Sequence, residues 1–108
     1  MTLGCFFNQE IKDCIPSGVT NLTIGYLLDK ETKDYIPSSV THLTLGFHFN
    51  KEIKDCIPAS VTHLTFGEYF DQEIEGCIPS SVTHLTLSKS YNKSKLDGID
   101  SKILIILK

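Results

Sequence analysis

A chain of 108 residues, 41% hydrophobic and 21% charged, has the make-up of one globular domain. Its formal charge of −3, with ten Lys and Arg residues spread along the chain, argues against a nucleic-acid partner, because phosphate binding needs clustered cations. The longest apolar run, 103–107, falls far short of the roughly twenty residues that cross a bilayer, and no charged-then-apolar leader opens the chain, so no membrane partner is expected.

The chain opens on Thr2-Leu3, read as a truncated strand, and Gly4 follows where a tight turn commonly wants φ > 0. Phe7-Asn8, Glu10, Ile11, Cys14 and Ile15-Pro16 come next, and from there the chain repeats itself. Prolines at 16, 37, 58 and 79 set a period of 21 residues, each inside an Ile-Pro-x-x-Val-Thr-x-Leu-Thr phrase. Segments 19–24, 40–45, 61–66 and 82–87 alternate apolar residues with Thr or His, the period-two pattern of a half-buried strand. After each strand the cycle recurs: Gly25, Gly46 and Gly67 match Gly4, then Leu28, Phe49, Phe70 and Tyr91 match Phe7. Asp29, Asn50, Asp71 and Asn92 match Asn8, with side chains able to satisfy backbone groups of neighbouring turns.

Strand, turns and corners use most of the 21 residues, so no long helix fits, and extended or single-turn 3₁₀ segments are expected between strands. Columns stay aligned only if successive strands pair in parallel, about 4.8 Å apart. The expected architecture is a leucine-rich-repeat-like solenoid: a parallel β-sheet with one short strand per 21-residue coil, within a single domain spanning 1–108. Full coils fall at about 4–24, 25–45, 46–66 and 67–87, with a divergent C-terminal coil at 88–108. One coil buries little by itself, so stability must come from contacts between coils.

The columns also define candidate sites. Asn21, Thr23, His42, Thr44, His63, Thr65, His84 and Thr86 flank the inward leucines and should line the exposed sheet face, the partner-binding surface. Three imidazoles in line suggest an alternative, a metal- or pH-responsive protein using the His42, His63 and His84 ladder. Zinc wants ligands converging in a tetrahedron, which a ladder offers poorly, so no metal is assigned. Cys14, Cys56 and Cys77, with Tyr35 between, sit beside core isoleucines as buried thiols, although Cys56 and Cys77 on adjacent rungs could approach disulfide distance. Glu10, Glu31, Glu52 and Glu73 run beside Lys12, Lys33 and Lys54, with Lys30 and Lys51 on the other side, which reads as a solvated, self-neutralising face. No Ser-His-Asp signature, phosphate loop or activated cysteine is present, and so short a stack should enclose no pocket. No catalytic residue or cofactor is expected.

In the last unit Ser88 replaces the glycine, Lys95 the isoleucine and Asp100 the proline, so this unit reads as a cap or seam. On the 21-residue register Ile105 and Leu107 align with His and Thr positions, which would make the last strand apolar on both faces. Ile103, Ile105 and Leu107 are therefore expected to support self-association, as a homodimer or an end-to-end assembly.

The Val-x-x-Leu-x-Leu phrase of 40–45 resembles the strand signature of leucine-rich repeats, and Phe7-Asn8 and Phe49-Asn50 combined with Ile15-Pro16 and Ile57-Pro58 resemble the FNIP repeat. That family is known from social amoebae and giant amoeba-infecting viruses. The resemblance implies a leucine-rich-repeat-like fold and a protein partner, and it suggests the substrate-recognition part of an F-box ubiquitin-ligase adaptor, though the chain leaves no room for an F-box. Cysteines that recur at one repeat position, with no signal sequence ahead of them, point to a reducing, cytoplasmic setting, which would be the host cell's if the chain is viral.

Overall fold

The computed structural model describes the backbone of 2–3 and residues 15–24, 36–46, 49–54, 56–96, 98–99 and 102–108. Six strands, β1 (Thr2–Leu3), β2 (Asn21–Ile24), β3 (His42–Leu45), β4 (His63–Thr65), β5 (His84–Leu87) and β6 (Leu104–Leu107), form one sheet in sequence order. Every neighbouring pair is parallel. The chain is thus a leucine-rich-repeat-like solenoid, with one short strand contributed per coil. Among the described residues no helix is long and apolar enough to cross a membrane.

The strands start two residues later than the alternation suggests, for a hydrogen-bonding reason. Val19, Val40, Val61 and Val82 each donate their N–H to the carbonyl of the proline three residues back, closing a turn where a strand was expected. A second corner follows β3, β4 and β5: Phe49 donates to the Gly46 carbonyl, Phe70 to Gly67 and Tyr91 to Ser88. A third is closed by Cys56 on Ile53 and Cys77 on Ile74. Each of these corners is an i to i+3 turn. The post-strand corner does not need left-handed backbone: among the described residues the positive-φ glycines are Gly18, Gly76 and Gly98, and Ser88 makes the same corner as Gly67. Gly4 and Gly25 lie outside the described residues. Gly98, at φ 87°, is also packed so closely that an added Cβ would lie 2.7 Å from Glu75 Oε1.

Inward columns build the core. Leu22, Leu43, Leu64 and Leu85 stack, as do Ile24, Leu45, Phe66 and Leu87, and Val40, Val61 and Val82, with no buried polar or charged residue among those described. Phe49, Phe70 and Tyr91 form an aromatic column with ring centroids 6.1 and 5.9 Å apart, and Phe66 stacks on Phe70 at 3.9 Å. The Tyr91 hydroxyl donates to the Gln72 carbonyl at 2.6 Å, and its pKa is pushed up to about 12 by burial, then by Glu73, Asp71 and Cys77. The asparagine column bridges coils as expected: Asn50 Oδ1 accepts from the Asp71 N–H and from Gln72 Nε2, both at 2.9 Å.

Cys56 is buried and Cys77 half-buried, and neither forms a disulfide; their thiols approach the carbonyls of Lys54 at 3.3 Å and Glu75 at 3.6 Å. Cys14 and Tyr35 lie outside the described residues, as do Glu10, Glu31, Lys12, Lys30 and Lys33. Glu52, Glu73, Lys51 and Lys54 are exposed, but the ion pair found among the described residues is a different one, Lys95 with Asp71 at 3.0 Å. Among the described residues Glu52 and Glu73 make no ion pair with Lys51 or Lys54.

The last coil corrects the sequence register. Strands β2 to β5 pair at 21-residue spacing, Asn21 with His42 and onward to His84, whereas His84 pairs with Leu104 and Thr86 with Ile106. One residue fewer carries the chain around, by way of a 3₁₀ turn at Lys93–Leu96. Leu104 and Ile106, not Ile105 and Leu107, therefore occupy the His and Thr columns. Ile105 and Leu107 continue the inward leucine columns, where with Ile103 they pack against the core, half-buried.

Candidate functional site

The outward columns of β2 to β5 form the candidate site. The Leu-x-Leu alternation holds the leucines inward, so the intervening residues must face out. All eight assigned side chains are brought together: Asn21, His42, His63 and His84 stand in one row and Thr23, Thr44, Thr65 and Thr86 in the next. Asn21 is exposed and the other seven are half-buried.

The imidazoles lie nearly parallel. Ring centroids of His42 and His63 are 4.2 Å apart at 11°, and those of His63 and His84 are 4.2 Å apart at 8°. What holds them is a column that the outward alternation did not single out: Thr41, Thr62 and Thr83. Each threonine Oγ1 lies 2.8 Å from Nδ1 of the histidine that follows it. The signal was present in the sequence, a threonine directly before every ladder residue. Thr20 makes the equivalent contact at 2.9 Å with Asn21 Oδ1, which can only accept, so there the hydroxyl donates.

The histidine rungs admit either polarity. The Thr41 carbonyl already accepts the N–H groups of Thr62 at 2.8 Å and His63 at 3.0 Å, leaving Thr62 Oγ1 as a longer third contact at 3.2 Å. Each hydroxyl has one proton to give, to that carbonyl or to Nδ1, and the ring's tautomer follows from which of the two it serves. Nε2 meets no partner among the described residues. Burial, then the charges of His42 and His84, hold the His63 pKa below its ordinary 6.5.

Parallel stacking points corresponding ring nitrogens the same way, whereas a metal needs converging ligands. No group of three His, Cys, Asp or Glu residues converges on a common point among those described. Past the strand ends, Thr65 and Thr86 run into an open groove of about 450 Å³ bordered by Glu68, Ser88, Lys89 and Lys108. The stack thus forms an open depression beside the strand ends.

A family model of the FNIP repeat matches residues 7–48 and 49–90, more than half of the chain. No curated protein matches significantly. Among solved structures the chain is similar to CroV588, described as a novel circular LRR protein structure, with a TM-score of 0.67 and 32% sequence identity. The match covers 98% of this chain but 16% of that one, so this chain spans about a sixth of that protein's length.

Proposed function

Because the chain belongs to the FNIP repeat family, we propose that it is a non-catalytic protein-interaction module that takes its partner on the exposed face of the parallel sheet. The ladder of Asn21, Thr23, His42, Thr44, His63, Thr65, His84 and Thr86 makes the contacts. The observation that carries this reading is its pre-ordering: each imidazole is held by a 2.8 Å threonine contact and by 4.2 Å stacking on a neighbour. Side chains already held in place lose little rotamer freedom on binding, which removes part of the usual cost of association. In this reading the repeats are target-recognition elements, related to those of F-box adaptors.

Replacing Thr44 and Thr65 with Tyr at the centre of the face should abolish capture of a protein partner while leaving the circular-dichroism spectrum and urea midpoint in place. Equal retention of the partner by this variant would overturn the assignment. Self-association through Ile103, Ile105 and Leu107 is also proposed, on the core end of the last coil rather than on the sheet face. Light scattering giving a mass near 12.1 kDa at high concentration would overturn that part alone.

A further inference from the structure

We propose that the partner taken on this face is an acidic segment, bound through its carboxylates and held more tightly when His63, at the centre of the histidine ladder, carries a proton. This rests on the docking reading above and adds the partner's chemistry to it.

The distribution of charge is the first ground. The chain carries a net −3, yet none of the strands β2 to β6 contains Asp or Glu. Glu52, Glu68, Asp71, Glu73 and Glu75 all lie exposed in the segments between strands, Glu68 with Lys89 and Lys108 at the groove beyond Thr65 and Thr86. The strand face itself offers imidazoles and threonine hydroxyls with no acid on the strands, which complements an acceptor-rich, anionic partner.

The second ground is how the ladder can take up a proton. His63 is faced from β3 by His42 and Thr44 and from β5 by His84 and Thr86, and neither strand contains a charged Lys, Asp or Glu. On a protonated His63 ring both nitrogens donate: Nδ1–H to Thr62 Oγ1, whose own hydroxyl reaches the Thr41 carbonyl at 3.2 Å, and Nε2–H to a group laid over the face. The threonine clamp therefore holds the charged ring as well. What opposes protonation of His63 is burial and then repulsion from His42 and His84, and carboxylates laid across the rings would offset that repulsion. Binding and proton uptake therefore reinforce each other, by reciprocal linkage.

The test is fluorescence polarisation with a labelled peptide of alternating Glu and Ser and its Gln/Ser counterpart, between about pH 8 and about pH 6. The Glu peptide should bind roughly fivefold tighter at the acid end, the Gln peptide weakly and independently of pH, and a His42→Gln, His63→Gln, His84→Gln variant should lose the pH dependence. Failure of the Glu peptide to bind at the acid end, or pH dependence surviving in the triple variant, would overturn the proposal. Equal binding of both peptides, lost in the Thr44→Tyr, Thr65→Tyr variant, would overturn the acidic specificity and keep the docking face. Binding of the Glu peptide untouched by that variant would sink both.

Discussion

At the residue scale, repetition makes neighbouring coils controls for one another. Ser39 Oγ donates to the Val19 carbonyl at 2.7 Å and Ser81 Oγ to the Val61 carbonyl at 2.8 Å, whereas Ser60 Oγ in the same column is buried without a partner. An unmet buried hydroxyl is a liability, so Ser60→Ala should leave stability unchanged or raise it, while Ser39→Ala should cost about 1 kcal/mol. Equal losses in urea denaturation would contradict that contrast. His63 gives a second prediction. Its folded pKa lies below 6.5, so as pH falls through 6.5 the unfolded chain binds more protons than the folded one. Stability contributed by His63 is full at neutral pH, declines through that window and is gone below the depressed pKa. His63→Gln should flatten the acid limb of urea midpoint against pH, and an unchanged limb would place that sensitivity elsewhere.

At the scale of elements, β2 to β5 are short because proline turns use the valine N–H groups before them. The corners after β3, β4 and β5 close by i to i+3 hydrogen bonds without a positive-φ glycine, whereas Gly18 and Gly76 lie within the turns closed by Val19 and Cys77. β6 departs from the others by one residue of register, which exchanges its faces. Leu104 is 55% exposed at the end of the histidine row, while Leu85 one rung earlier in the adjacent inward column is fully buried. Leu104→Thr, which continues the polar row, should therefore change stability by no more than about 0.5 kcal/mol. A loss of the size seen on emptying a buried leucine site would show that Leu104 packs inside and that the assigned register is wrong.

For the whole molecule, stability is a sum over coil interfaces. Leu64 is enclosed between Leu43 and Leu85, whereas Ile105 extends the same column in the last coil and is only half-buried. Leu64→Ala should cost about 3 kcal/mol and Ile105→Ala roughly half as much, with a single urea transition for each. Equal costs would mean that Ile105 is covered from its outer side as well, as a self-associated form would cover it.

The sequence alone determined the coil length, the parallel one-strand-per-coil sheet, the inward leucine columns and the outward row of Asn21, His42, His63 and His84. A period of 21 with a conserved alternation leaves few other ways to align like residues. It also carried the Asn50 bridge, since a short polar side chain beside a turn has backbone groups within reach. Tertiary structure decided what depends on spatial distance between coils. The threonine clamps depend on Thr62 lying between His63 Nδ1 and the Thr41 carbonyl, a placement set by the neighbouring coil. The register of β6 emerged only from how the last coil closes, because one residue gained or lost in a turn moves every later side chain to the opposite face. Periodicity is a local property read along the chain; polarity, tautomer and register at a divergent coil are set by what the neighbouring coil places opposite.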